Sequence, residues 1–178
     1  MSFGARSPRG RKPAPDAPLP SLTLVMLERS ALWHLGRRAL TTAELRAALK
    51  KKAARCLDNP ESGDWIEAIV ARFTASQALD DGQVSRRRIA TGRARGWSKR
   101  RIEQKLRGVD AEVKTEAFTS VDSESAESAA GAELAAAVVF VQKKLLNLKA
   151  KDPQKAMGAL ARQGFSYAIA KAALAAAE

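Results

Sequence analysis

The chain has 178 residues, with 31 Lys and Arg against 19 Asp and Glu, a formal net charge of +12, one histidine and one cysteine. That length suits one domain or a few small repeats sharing a core, and the lone Cys56 excludes an intramolecular disulfide framework and a cysteine-rich zinc site. Alanine, at 36 residues, outnumbers Val, Ile and Thr taken together, which favours an all-α protein.

Residues 1–20 hold five prolines among basic side chains; so few apolar groups do not offset the entropy of ordering, and a disordered basic tail is expected. The apolar run Leu19 to Leu27 is broken by Pro20, Ser21 and Thr23, a poor signal peptide. No stretch reaches the ~20 apolar residues of a membrane span, so a soluble cytoplasmic protein is expected. Leu24, Leu27, Ala31 and Leu35 share one helical face behind Ser21 as N-cap. Thr41 and Glu44 form a capping-box pattern ahead of Leu45, Ala48 and Leu49. Ile66, Ile69, Val70 and Phe73 follow helical spacing after Asp64, a candidate cap. Asp80-Asp81 opens a helix running to about Arg95, Ser98 caps the next, and Gly108 ends it. Asp110 starts another through Val113 and Phe118. Thr119 to Gly131, polar and rich in Ser and Ala, reads as a loop or a frayed helix end. The apolar run Leu134 to Leu148 is long enough for about four helical turns. Pro153 suits a first turn, Gly164 ends that helix, and Ser166 begins the last. About nine helices and no strand are expected.

An internal repeat organises them. Arg38-Ala39-Leu40-Thr41, Arg95-Gly96-Trp97-Ser98 and Gln163-Gly164-Phe165-Ser166 begin 57 and then 68 residues apart, each with a Leu nine positions after the large apolar residue (Leu49, Leu106, Leu174). The apolar residue fills a turn, the hydroxyl caps the following helix, and the Leu lies on its buried face. A two-helix motif does not bury both its faces alone, so stacked three-helix units follow: 21–79, 80–118 and 132–178, with 119–131 as an acidic linker.

Charge is concentrated in the middle unit. Between Arg86 and Arg107 lie Arg86, Arg87, Arg88, Arg93, Arg95, Lys99, Arg100, Arg101, Lys105 and Arg107 against one acid, Glu103. Lys99, Arg100 and Arg101 sit in a first helical turn, where cations oppose the helix dipole. Together with the exposed N–H groups of that terminus they make an anion site, for a phosphate or for a carboxylate-rich protein surface. Two weaker clusters, Arg46, Lys50, Lys51, Lys52 and Arg55, then Lys143, Lys144, Lys149, Lys151 and Lys155, suggest one long positive face for an extended polyanion.

Little else carries chemistry. No phosphate-binding glycine loop is present. Asp80-Asp81 read as dipole complements, His34 as a structural or surface residue, Cys56 as inert, and Trp33, Trp65 and Trp97 as core. No catalytic residue, cofactor or metal is expected.

RRALTTAELRAAL (Arg37 to Leu49), Ala78-Leu79-Asp80-Asp81, RARGWSKRRIEQKL (Arg93 to Leu106) and LARQGFSYAIAKAAL (Leu160 to Leu174) resemble, in order and rough spacing, the RecX regulatory proteins, over about residues 24 to 177. The resemblance implies an elongated, curved all-α array of tandem three-helix repeats. It also implies a monomer that binds the groove of the RecA filament on DNA and restrains ATP hydrolysis, strand exchange and the co-protease activity behind the SOS response. Several members of the family also contact single- or double-stranded DNA. Val84-Ser85 depart from the aromatic and alanine usual there, and the Ser-rich insert and proline-rich tail are extra. The nine cations from Arg86 to Lys105 named above are the candidate contact for the filament. The competing readings are a helix-turn-helix-like nucleic-acid-binding protein acting independently of RecA, and a purely structural helical adaptor.

Overall fold

The computed structural model describes residues 19–126, 128–145 and 152–176. The expected tail, up to residue 18, and the 146–148 end of the apolar run lie outside the described residues. The described ones form nine α-helices and no strand: α1 (Leu24–Arg37), α2 (Thr42–Ala53), α3 (Ser62–Ala75), α4 (Asp81–Ala94), α5 (Lys99–Lys105), α6 (Ala111–Ser125), α7 (Ala129–Phe140), which runs into a π turn (Val141–Leu145), then α8 (Pro153–Gln163) and α9 (Tyr167–Ala176). No described helix is long and apolar enough to cross a membrane.

The helices gather in three trios, each around its own apolar cluster. Leu27, Leu45, Leu49, Ile66 and Ile69 centre α1–α3. Ile89, Ile102, Leu106 and Phe118 centre α4–α6. Ala136, Val141, Leu160, Phe165 and Ala173 centre α7–α9. A fully buried Leu or Ile contributes about 1.5–3 kcal/mol, so each trio owes its cohesion to a handful of side chains.

The repeated turn explains how a trio closes. Thr41 Oγ1 accepts from Glu44 N (3.3 Å), Ser98 Oγ from Arg101 N (3.2 Å) and Ser166 Oγ from Ile169 N (3.3 Å). At the first turn Glu44 returns the bond to Thr41 N, completing the capping box. Leu40 and Phe165 are buried in the turns, while Trp97 is half-buried at the edge of the middle core. Gly164 closes α8 in the left-handed region at φ 94°, where a side chain would be strained and its Cβ would lie 2.9 Å from Ser98 Oγ.

Several local expectations are corrected. α1 is capped by Thr23, not Ser21, because the extended segment before it carries Leu22 into the first core. α3 begins at Ser62, with Asp64 inside its first turn and no side-chain cap. Thr119 to Gly131 is mostly helical: α6 continues to Ser125 and holds Val121 and Asp122 buried, and α7 starts at Ala129. Leu24 and Trp33 face solvent, Trp33 with 57% of its surface exposed. Trp33 lies two residues past buried Ala31, about 200° around the helix, on the far side from the core.

Carboxylates join consecutive trios. Asp81, the first residue of α4, accepts from Thr42 N and Thr42 Oγ1 (both 2.8 Å), so it holds the first N–H of α2. Glu133 of α7 accepts from Lys99 N (3.0 Å), the first N–H of α5. Around this second joint Ser98 Oγ donates to the Gln163 carbonyl, and Lys143 Nζ donates to the Ala94 carbonyl at the end of α4 (2.7 Å). An anion at a helix N-terminus and a cation at a C-terminus both complement the helix dipole.

Candidate functional site

An open basic groove of about 670 Å³ lies between the α1–α2 turn, α4 and α5. Arg87, Arg88, Thr91 and Arg95 reach it from one face of α4 at helical spacing, Lys105 comes from the end of α5, and Arg37 and Arg38 come from the end of α1. Arg88 is half-buried and pairs with Glu44 Oε2 (2.6 Å) across the first joint. Burial alone would push the Glu44 carboxyl up, but the Arg88 hydrogen bond, the Thr41 N–H and the charges of Arg88 and Arg38 outweigh it and hold it below its ordinary value. Arg37, Arg38, Arg87, Arg95 and Lys105 form no ion pair among the described residues. With Arg88 paired to Glu44, these five cations leave the groove lining strongly net positive.

Trp97 extends this surface. It lines the groove, and the guanidinium groups of Arg95 and Arg101 lie 5.6 and 4.7 Å from its ring centre, within cation–π range. Arg101 also donates to Gln163 Oε1. Beyond it, Arg100, Arg101 and Arg162 line a smaller cleft of about 350 Å³ against the end of α8.

The remaining candidates stand elsewhere. Arg93 is a correction: it is 9% exposed and bound inside the protein. Its Nε and Nη2 donate to the two Asp122 oxygens at 3.0 and 2.9 Å, Nη1 donates to Glu133, and the guanidinium lies 5.8 Å from the Phe118 ring. Burial opposes its charge, but the hydrogen bonds it donates to Asp122 and Glu133, with their negative charges, outweigh that and raise its pKa. Arg93 follows Ile89 by four residues, so the stripe that buries Ile89 and Gly92 buries it too. The expected anion site at the start of α5 is a second correction, since the carboxylate of Glu133 already occupies its first N–H. Lys99 is exposed, with Nζ 5.2 Å from the Phe118 ring, and Arg86 is half-buried near Gly82 at the start of α4.

Arg37 and Arg38 line the groove but were not among the cations expected from the sequence. The signal was present, because Arg38 and Arg95 head the first two copies of the repeated turn. Of the third basic cluster, Lys143 caps α4, while Lys149 and Lys151 lie outside the described residues. Among the described residues no group of His, Cys, Asp and Glu is arranged to hold a metal ion.

Comparison with known proteins gives two relatives. The chain is 32% identical over 159 residues to the regulatory protein RecX of Myxococcus xanthus, covering 82% of each chain. It is 29% identical over 160 residues to the regulatory protein RecX of Agrobacterium fabrum, covering 84% of this chain and 82% of that one. No family model matches the chain, and no solved structure matches it.

Proposed function

The chain belongs to the RecX family of regulatory proteins, and from that premise we propose that it restrains the RecA recombinase by laying its basic groove along the RecA–DNA filament. The three trios are read as tandem three-helix repeats that present this groove to a long, negatively charged assembly. Bridging neighbouring protomers there, the protein slows ATP hydrolysis and competes with the duplex DNA of strand exchange and with the repressor substrate of the SOS response. It acts by binding and not by catalysis.

The observation that carries the reading is the set of five cations without an ion pair, Arg37, Arg38, Arg87, Arg95 and Lys105, lining one groove. Uncompensated charge in a cleft concentrates field and steers an anionic partner. The test is RecA's DNA-dependent ATPase with added wild-type protein and with Arg87→Glu/Arg95→Glu. Wild type inhibits, and the double variant inhibits at least about tenfold less strongly at equal concentration. Equal inhibition by the two overturns the groove as the contact. No inhibition by wild type, with tight sequence-specific binding to naked duplex, favours the helix-turn-helix-like alternative.

A further inference from the structure

The basic groove carries an anion of its own. Among the described residues that line it, Glu44 is the only acid. A second basic groove, of about 710 Å³ between α1 and α2, is lined by Arg38, Lys51, Lys52 and Arg55, and there too Glu44 is the only acid. The place of this carboxylate is fixed. Glu44 Oε2 accepts from Thr41 N (3.2 Å) in the capping box of α2 and from Arg88 Nη2 (2.6 Å) across the first joint. Arg88 pairs with no other acid among the described residues, and its Nη1 lies 3.4 Å from the Lys105 carbonyl at the end of α5. Arg88 keeps 26% of its side chain in solvent and Glu44 31%, against 9% for Arg93 at the second joint. An anion entering the groove can therefore reach the Arg88–Glu44 pair.

We infer that Glu44 sets the groove's affinity for its anionic partner: its carboxylate is an internal competitor, which the partner displaces from Arg88 as it binds. A carboxylate tethered in a capping box faces Arg88 at high effective concentration, and a lone small anion competes with it poorly. A chain of anionic groups already held by the five neighbouring cations meets Arg88 on equal terms, because its attack is then intramolecular too. Until the exchange, Glu44 also repels the incoming charge. A part-exposed pair of this kind is weak enough to yield, whereas the buried Arg93 network stays closed. The capping bond from Thr41 N does not depend on Arg88, so α2 remains capped after the exchange. The inference rests on the reading of this groove as the filament contact and adds what limits the strength of that contact. Stability and binding then oppose each other at one residue: Glu44 tightens the first joint and weakens the hold on the partner.

The experiment measures the affinity of the full chain for linear inorganic polyphosphate over a range of salt, for wild type, Glu44→Gln, Arg88→Gln and the double variant. Glu44→Gln binds about threefold more tightly than wild type, although it is the less stable protein. Its affinity also falls more steeply with salt, because one more cation contacts the chain. In the Arg88→Gln background the same change gains little. The inference is overturned if Glu44→Gln binds no more tightly than wild type, or if it gains as much without Arg88 as with it, which would make Glu44 a simple repulsive charge. Should Glu44→Gln fold poorly, the side-chain nitrogen resonances of Arg88 in wild type decide: saturating polyphosphate shifts them if Arg88 changes partner, and unshifted resonances overturn the exchange. RecA's ATPase separates this inference from the reading beneath it. Inhibition that needs Arg87 and Arg95 but is not strengthened by Glu44→Gln sinks the competitor and leaves the groove standing; inhibition indifferent to Arg87 and Arg95 sinks the groove as the filament contact.

Discussion

At the first joint Asp81 of α4 holds the first N–H of α2, and Arg88 of the same helix holds Glu44. At the second, Glu133 of α7 holds the first N–H of α5, and Arg93 holds Glu133. The plan is shared: a carboxylate from the leading helix of one trio seats on the N-terminus that the previous trio's repeated turn exposes. The surroundings differ. Arg88 and Glu44 are half-exposed on the wall of the basic groove, whereas Arg93 is closed over by Asp122, Glu133 and Phe118. One joint leaves its charge beside solvent, and the other spends its charge on holding helices together.

The largest expected effect sharpens that contrast. Asp122→Ala leaves the buried guanidinium half-paired and costs about 3–5 kcal/mol. Glu44→Ala, which loses a part-exposed pair and one capping bond, costs about 1–2 kcal/mol. Urea melts of the two variants measure both, and equal costs would break the distinction. Next comes Gly96→Ala at the second joint. Gly96 has φ 72°, and a Cβ there would stand 2.6 Å from the Phe140 backbone nitrogen of α7. Left-handed strain of about 1–2 kcal/mol adds to that clash, so the thermal midpoint falls by about 4 °C or more, where an unchanged midpoint would show that the trios do not pack closely here.

The smallest effect is acid-dependent and belongs to the first joint. The Glu44 carboxyl, ordinarily at 4.5, is lowered in the folded protein. Its ionised form thus stabilises the fold fully above the unfolded value, and the contribution is lost as pH falls through the lower folded one. Glu44→Gln is therefore less stable than wild type at neutral pH, and the gap closes below about pH 4.5. Paired melts across that range check it; a gap constant with pH contradicts the Arg88 pairing.

The fold was legible because each repeated turn carries its own instructions. Thr41, Ser98 and Ser166 all cap as their spacing implied, and Pro153 and Gly164 bound α8. The site was half legible. Arg87, Arg88, Arg95 and Lys105 do meet in one groove, but a run of cations does not show which face of α4 turns inward. Counting four residues on from Ile89 would have placed Arg93 inside, and counting two on from Ala31 would have placed Trp33 outside. Glu133 was beyond reach, because its partners Arg93 and Lys99 lie 40 and 34 residues away in sequence and nothing local marks that approach.

The most direct measurement of the central claim places a photo-crosslinking side chain at Arg87, on the groove, or at Glu116, on the exposed face of α6, and mixes each protein with RecA–DNA filaments. Crosslinks to RecA or its DNA are expected from position 87 and none from position 116. Crosslinks from 116 with none from 87 would contradict that claim.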